Sequence, residues 1–71
     1  MMVENKPEIS LKALRNLRGL SQKGLAAKLN RHESTIISWE KGRTSMTVKD
    51  YFNVKSLLDP EDEFFLQIKS S

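Results

Sequence analysis

The sequence is rich in charged side chains but has no residues at the spacing that catalysis requires. The chain has no cysteine and a single histidine, His32, which excludes disulfides and any metal site built on several cysteine or histidine ligands. No nucleophile is spaced to meet a base, and no carboxylates cluster at convergent positions. We therefore expect a protein that is not an enzyme and that uses no metal, no cofactor and no small-molecule substrate.

Positive charge dominates the first 55 residues of the chain. They carry a net charge of +6, whereas residues 56–71 carry −3, which gives +3 for the whole chain with a pI near 9.5. A basic body of this kind favours a polyanion such as nucleic acid as the partner. A solvated surface in a chain with 30% charged residues would give the same count, so charge alone leaves the partner open.

Length and hydropathy limit the class of protein further. Seventy-one residues are enough for one small domain, and no apolar run exceeds four residues, so no membrane span is expected. The start, MMVENKPEIS, lacks the apolar central region of a secretory signal. These features predict a cytoplasmic protein that makes no contact with a membrane.

Helical spacing of apolar residues predicts the elements that position the charged side chains. Residues 1–9 show no periodicity and are predicted to form a flexible lead-in. A first helix follows the capping residue Ser10, carries leucines at steps of three up to Leu17, and ends at Gly19.

Two short helices joined by a turn are predicted over residues 21–42. They span residues 22–29 and 33–41, and Asn30 stands in the turn, where a residue that tolerates a left-handed conformation is needed. Ala26 is small enough for the two helices to cross closely. This spacing matches a helix-turn-helix unit, whose second helix presents its outer side to DNA.

Two more helices complete the prediction. A fourth helix after the cap Thr47 is marked by four apolar residues on one face: Val48, Tyr51, Val54 and Leu58. The run Asp59-Pro60-Glu61-Asp62 has the pattern of a helix start and predicts a fifth helix. The apolar face of this fifth helix would be Phe64, Phe65 and Ile68. We therefore predict an all-α fold, a compact bundle of five helices over residues 10–69.

The stretch from residue 17 to residue 43 resembles the phage repressor and Cro type of helix-turn-helix, also called the Xre family. The elements that carry the resemblance are Arg15, Arg18-Gly19-Leu20-Ser21-Gln22, Leu25-Ala26, Ser34-Thr35-Ile36 and Trp39-Glu40-Lys41-Gly42. The resemblance covers residues 10–66 and implies a fold of the lambda-repressor-like type. It also implies a sequence-specific regulator of transcription that binds a double-stranded DNA operator and reads the major groove with helix 33–41.

The resemblance implies roles for individual residues. Arg15 and Glu40 would form a mostly buried ion pair that fixes the first helix against the third. Four residues would contact bases: Glu33, Ser34, Ile37 and Ser38. Five residues would contact phosphates: Gln22, Lys23, Lys41, Arg43 and Thr44.

The sequence departs from the family pattern at several positions. Glu33 stands where the family often has Gln or Arg, and phosphates repel a carboxylate unless it accepts a hydrogen bond from a cytosine amino group. Ile37 could contact a thymine methyl group or belong to a protein interface. Arg31 replaces the usual apolar residue of the turn, and Lys55 replaces a small residue of the fourth helix. These departures keep open a second hypothesis, in which the same face binds another protein, as an antirepressor, a repressor modulator or an antitoxin-like partner would.

The length of the chain resembles that of single-domain, Cro-sized members from phages or prophages, whose own domain carries the dimer contact. The expected homodimer contact lies at Phe64, Phe65 and Ile68, with closure of the monomer's own core as the alternative role of these residues. A dimer would hold two reading helices ~34 Å apart on a near-palindromic operator. The expected partners are therefore operator DNA, a second copy of the chain, or a partner repressor protein.

Overall fold

The computed structural model describes residues 5–67. Its elements in chain order are β1 (Glu8–Ile9), α1 (Leu11–Leu17), α2 (Gln22–Leu29), α3 (Glu33–Lys41), α4 (Val48–Leu58) and β2 (Phe65–Leu66). The two strands pair in parallel, with Glu8 opposite Phe65 and Ile9 opposite Leu66. None of the helices in this part of the chain is long and apolar enough to cross a membrane.

The helices begin and end at the residues that the sequence supplies for that purpose. The side-chain oxygens of Ser10, Ser21 and Thr47 each accept a hydrogen bond from the backbone N–H three residues later. Asn30 follows α2 with a φ of 57°, and Gly42 follows α3 with a φ of 75°, both in the left-handed region. The predicted caps Ser10 and Thr47 and the predicted left-handed turn residue Asn30 are confirmed.

One apolar core lies between the helices and β2. Its buried members are Leu11, Leu14, Leu25, Ala26, Ile36, Trp39, Val54, Leu58 and Leu66. Two residues expected on inner faces lie outside it, because Leu17 is 56% exposed and Val48 is 73% exposed. Each step of three residues falls about 60° short of a full helical turn, so a run of such steps rotates away from the buried face. Arg15 is buried on α1, whereas Leu17 is not.

The segment after α4 is not the predicted fifth helix, so the described chain has four helices. At a helix start, the Asp59 carboxylate would accept hydrogen bonds from backbone N–H groups two or three residues ahead. It accepts them instead from the N–H groups of Glu63 and Phe64, at 2.8 and 3.0 Å, and from Lys55 Nζ at 2.7 Å. Asp62 adopts a left-handed conformation with a φ of 56°. These contacts fold the segment into a turn that leads into β2.

β2 brings part of the predicted lead-in into the domain. The backbone N–H of Phe65 donates to the carbonyl of Pro7, and that of Gln67 donates to the carbonyl of Ile9, both at 2.9 Å. Residues 8 and 9, expected to precede the domain, therefore form one of its strands. Pairs of strands this short show no alternating pattern in a sequence, which is why the purely helical prediction was wrong here.

Candidate nucleic-acid interface

α3 presents a buried side to the core and an outward side to solvent. Ile36 is completely buried and Trp39 is 7% exposed, whereas the outward side is exposed or half-exposed. That outward side consists of Glu33, Ser34, Ile37, Ser38 and Lys41, which span about 140° of the helix circumference. All four residues predicted to contact bases thus lie together on this surface, which we call the α3 outer face.

The turn between α2 and α3 sets the angle at which the outer face is presented. The N–H of Asn30 donates to the carbonyl of Ala27 at 3.2 Å, and the N–H of Arg31 reaches back to the carbonyl of Ala26 at 2.9 Å. This pattern ends α2 and reverses the chain within three residues. Ala26 is only 3% exposed, and α2 and α3 pack more extensively on each other than any other two helices of the described chain.

Arg31 ties this turn to the start of α4. Its Nη2 atom donates to both carboxylate oxygens of Asp50, at 2.5 and 2.7 Å, and the hydroxyl of Thr47 also donates to this carboxylate, at 3.0 Å. The hydrogen bond from Arg31 lowers the pKa of Asp50 more than burial raises it. An ion pair therefore stands where the family has an apolar residue in the turn. No local sequence signal identifies this pair, because Arg31 and Asp50 are 19 positions apart.

Arg15, Glu40 and Gln22 form a largely buried polar cluster between α1, α2 and α3. Arg15 Nε donates to Glu40 Oε2 at 2.6 Å and Nη2 donates to Oε1 at 3.2 Å, with both side chains less than 10% exposed. Gln22 Nε2 donates to Glu40 Oε1 at 3.0 Å. Arg15 also donates to the carbonyl of Leu20 at 2.8 Å. The structure thus brings together the predicted pair and adds Gln22 to it, which places the start of α2 beside the end of α3.

The residues predicted to contact phosphates lie on the α3 outer face or on the elements before and after α3. Lys23 is exposed in the first turn of α2, and Lys41 is exposed at the end of α3. Beyond α3, the left-handed Gly42 turns the chain so that the N–H of Arg43 donates to the carbonyl of Ser38 at 2.9 Å. Arg43 and Thr44 are exposed in this connecting segment. Because Gln22 contacts Glu40, the predicted phosphate contacts at the start of α2 lie next to those at and after the end of α3.

The acidic residues after α4 are compensated by cations of their own region. Lys55 Nζ contacts Asp59 and Asp62, at 2.7 and 2.9 Å, and donates to the carbonyl of Phe64 at 2.6 Å. Burial disfavours the charged form of Lys55, yet the interactions with Asp59 and Asp62 outweigh burial and raise the pKa of Lys55. Lys6 also pairs with Asp62. Lys55, which replaces a small residue of the fourth helix, therefore joins α4 to the turn before β2.

The residues predicted for a dimer contact have separate environments. Phe64 is half-buried and packs against the core, which agrees with the alternative role proposed for it, closure of the monomer's own core. Phe65 is 47% exposed, and Lys6 Nζ lies 5.0 Å from the centre of its ring. Ile68 lies outside the described residues. The large apolar residues that are exposed in the described chain are Leu17, Val48, Phe52, Leu57 and Phe65, and none of them is on α3.

A small cavity of about 180 Å³ opens between α1, the end of α3 and Gln67. Its lining includes Trp39, Glu40 and Lys12, and its volume is below that of ordinary small-molecule sites. Within residues 5–67, no three His, Cys, Asp or Glu side chains lie close enough to hold a metal ion together. The feature with the geometry of a binding surface is therefore the α3 outer face.

Two helices crossed at a left-handed asparagine, with the second exposing a polar side, define a helix-turn-helix domain. The sequence matches the helix-turn-helix family HTH_3 over residues 11–55, and the chain belongs to this family, whose members are DNA-binding regulators of the Cro/C1 type. The matched region runs from the start of α1 into α4, so β1, β2 and the acidic turn lie outside it. Searches among curated proteins and among solved structures found no match to the chain.

Proposed function

We propose that this protein is a sequence-specific regulator of transcription that binds duplex DNA, in the manner of a Cro protein or repressor, by placing α3 in the major groove. The observation that carries the proposal is the largely polar α3 outer face, which includes Lys41 and has the other predicted phosphate contacts on the elements before and after α3, namely Gln22, Lys23, Arg43 and Thr44. A helix of nine residues is about 14 Å long, which suits a groove about 12 Å wide.

The distribution of charge supports DNA as the partner. Asp59, Asp62 and Glu63 lie in the turn before β2, where Lys55, Lys6 and Arg18 compensate them, and Glu33 is the carboxylate of the α3 outer face. Lys41 is exposed on the α3 outer face, and Lys23 is exposed in the first turn of α2. Cations in such positions contribute affinity for any duplex and orient the reading helix, whereas the outer face supplies sequence preference.

Gln22 and the cluster around Glu40 support a rigid phosphate contact. One amide hydrogen of Gln22 is held by Glu40, which leaves the other available at the N-terminal end of α2. Glu40 is itself fixed by two hydrogen bonds from Arg15. A phosphate bound there would therefore meet a donor whose orientation is set before binding, together with the favourable field of the helix N-terminus.

Salt-dependent binding to a random-sequence duplex tests the proposal. We expect Lys23→Ala to weaken binding and to reduce the slope of log K against log salt by about one unit, because one phosphate contact is lost. Lys28→Ala is the matched control, since this exposed lysine lies on the same helix in its last turn, away from Gln22. An equal effect of both substitutions, or binding that does not depend on salt, would contradict the phosphate assignment.

The alternative function, recognition of another protein by the same face, gives a different result. The most exposed apolar residues lie on α1, α4 and β2, which leaves the α3 outer face suited to a polar partner and favours DNA. A partner repressor that binds the protein, and is released by Ile37→Glu while DNA binding persists, would replace the DNA proposal. A homodimer remains a prediction, with Phe65 as its exposed apolar candidate.

A further inference from the structure

We propose that the α3 outer face selects a cytosine through Glu33 and a thymine through Ile37, and that the Glu33 carboxylate also lowers affinity for duplexes that lack this cytosine. The inference rests on the proposed function of α3 and adds the chemistry of the sequence that it reads.

The carboxylate of Glu33 is available to a ligand. Glu33 is exposed at the first position of α3, and no hydrogen bond or ion pair within residues 5–67 involves its side chain. Arg31, the nearest basic residue along the chain, is held by Asp50. The next turn of the same face carries Ile37, which has no polar side-chain atom. The outer face thus offers an acceptor and, one turn further, an apolar surface.

The edges of the bases in the major groove decide what these two groups can bind. Guanine presents only acceptors there, thymine presents an acceptor and a methyl group, and adenine presents its amino donor next to the acceptor N7. Cytosine presents an amino donor with no neighbouring acceptor on the same base, so it is the base best suited to a carboxylate. The thymine methyl group is the apolar feature that Ile37 can contact. Ser34 and Ser38 can donate or accept, and they discriminate little.

The helix geometry sets the spacing of the two bases. Residues four apart on a helix are separated by about 6 Å along the axis and by about 40° around it. Successive base pairs are about 3.4 Å apart along a duplex. The cytosine and the thymine should therefore lie on neighbouring base pairs, or be separated by a single base pair.

The same carboxylate makes binding to other sequences less favourable. When the contacted base offers no donor, Glu33 is left unpaired in a groove about 12 Å wide, where repulsion from the phosphates is only partly screened because the screening length is about 8 Å at physiological salt. Glu33 also interacts favourably with the N-terminus of α3, but that structural role alone predicts no dependence on the base. Base dependence therefore separates the two roles.

The first experiment selects duplexes from a random library with the full chain. Enrichment of a sequence with a cytosine and a thymine at the stated spacing is the expected result. Failure to enrich any sequence would refute the proposed function itself, whereas enrichment of a sequence without this pair would refute only the present inference.

The second experiment changes single groups in the enriched duplex. N4-methylcytosine at the contacted position removes the amino hydrogen that faces the groove, and we expect it to weaken binding of the wild-type protein roughly tenfold. The same duplex should not weaken binding of Glu33→Ala beyond the loss that this variant already shows. Uracil in place of the thymine should weaken DNA binding by the wild-type protein and leave DNA binding by Ile37→Ala unchanged.

Substitution of Glu33 by glutamine best separates a base contact from a purely structural role of this residue. Glutamine both donates and accepts, and it pairs with adenine, so Glu33→Gln should change the preferred base from cytosine to adenine. It should also bind random duplexes several-fold more tightly than the wild-type protein, because the repulsive charge is gone. Glu61→Gln is the matched control, since it removes the same charge from an exposed residue in the turn before β2, outside the α3 outer face, and it should change neither the preferred base nor the affinity for random duplexes. An unchanged preference for cytosine in both Glu33 variants, or weaker binding of Glu33→Gln to random duplexes, would overturn the proposal.

Discussion

Replacement of Asp59 by asparagine should destabilise the domain by about 2–3 kcal/mol at neutral pH, because this carboxylate organises the turn between α4 and β2. Its side chain is fully buried and accepts hydrogen bonds from Lys55 Nζ and from the backbone N–H groups of Glu63 and Phe64. All three neighbours are donors. An asparagine NH₂ group would have to face at least one of them, with the charge of Lys55 left partly uncompensated.

The pKa of Asp59 follows from the same contacts and leads to a similar magnitude of stabilisation. Burial raises the pKa, but the hydrogen bonds from Lys55, Glu63 and Phe64 outweigh burial and bring it from 3.8 to about 2. A difference of this size corresponds to about 2 kcal/mol of folding free energy. Because the pKa is lower in the folded state, the stabilisation is complete above about pH 4 and is lost as the pH falls towards 2. Lys55 keeps its contacts with Asp62 and the carbonyl of Phe64, so the loss in the variant should stay below that of a fully isolated buried charge.

Urea unfolding followed by circular dichroism, at several pH values from 7 to 2, measures the effect. We expect the difference in unfolding free energy between the wild-type protein and Asp59→Asn to shrink by about 2 kcal/mol over the acid range. Asp62→Asn is the matched control, since Asp62 contacts the same Lys55 but is 61% exposed and has a left-handed backbone that asparagine tolerates. Equal losses in the two variants, or a difference for Asp59→Asn that is independent of pH, would refute the reasoning.

Three further predictions concern the turn, a helix end and self-association. Arg31→Ala should lower the free energy of unfolding by about 1–2 kcal/mol, because it leaves the buried Asp50 carboxylate without its cation, while the partial exposure of Arg31 limits the loss. A double-mutant cycle with Asp50→Asn that shows no coupling would contradict the ion pair. Gly19→Ala should lower the free energy of unfolding by about 1 kcal/mol or more, because Gly19 has a φ of 75°, which disfavours a side chain. No atom lies near the added Cβ, so the effect would come from the backbone alone; a thermal midpoint equal to that of the wild-type protein would contradict this. Phe65→Ser should shift sedimentation equilibrium towards the monomer if the exposed ring forms the dimer contact, and an unchanged distribution would remove Phe65 from that role.

The parts of the fold that were predictable from the sequence depend on residues close together in the chain. Ser10, Ser21 and Thr47 cap helices through a backbone N–H only three residues away. Asn30 takes a left-handed conformation that few other residue types tolerate. Such local features define the helix-turn-helix unit and the outer face of its second helix.

The parts that were not predictable depend on partners far along the chain. The segment from Asp59 onwards has a good local pattern for a helix, but its conformation is decided by the pairing of Phe65–Leu66 with Glu8–Ile9, more than fifty residues away. Arg31 and Asp50 are separated by 19 positions, and the replacement of an apolar plug by an ion pair becomes visible only once α4 is docked. The identity of the bases contacted depends on the partner, and only the chemistry of Glu33 and Ile37 constrains it.

Binding of duplex DNA by the α3 outer face can be observed residue by residue from amide chemical shifts during a titration with DNA. Addition of the enriched duplex, or of a random-sequence pool at low salt, should shift the amides of residues 33–38 together with those of residues 22–23 and 41–44. The amides of β1 and β2 should remain largely unchanged and serve as the internal reference. Shifts confined to β2 or to the exposed side of α4, with residues 33–38 unaffected at saturation, would contradict the account.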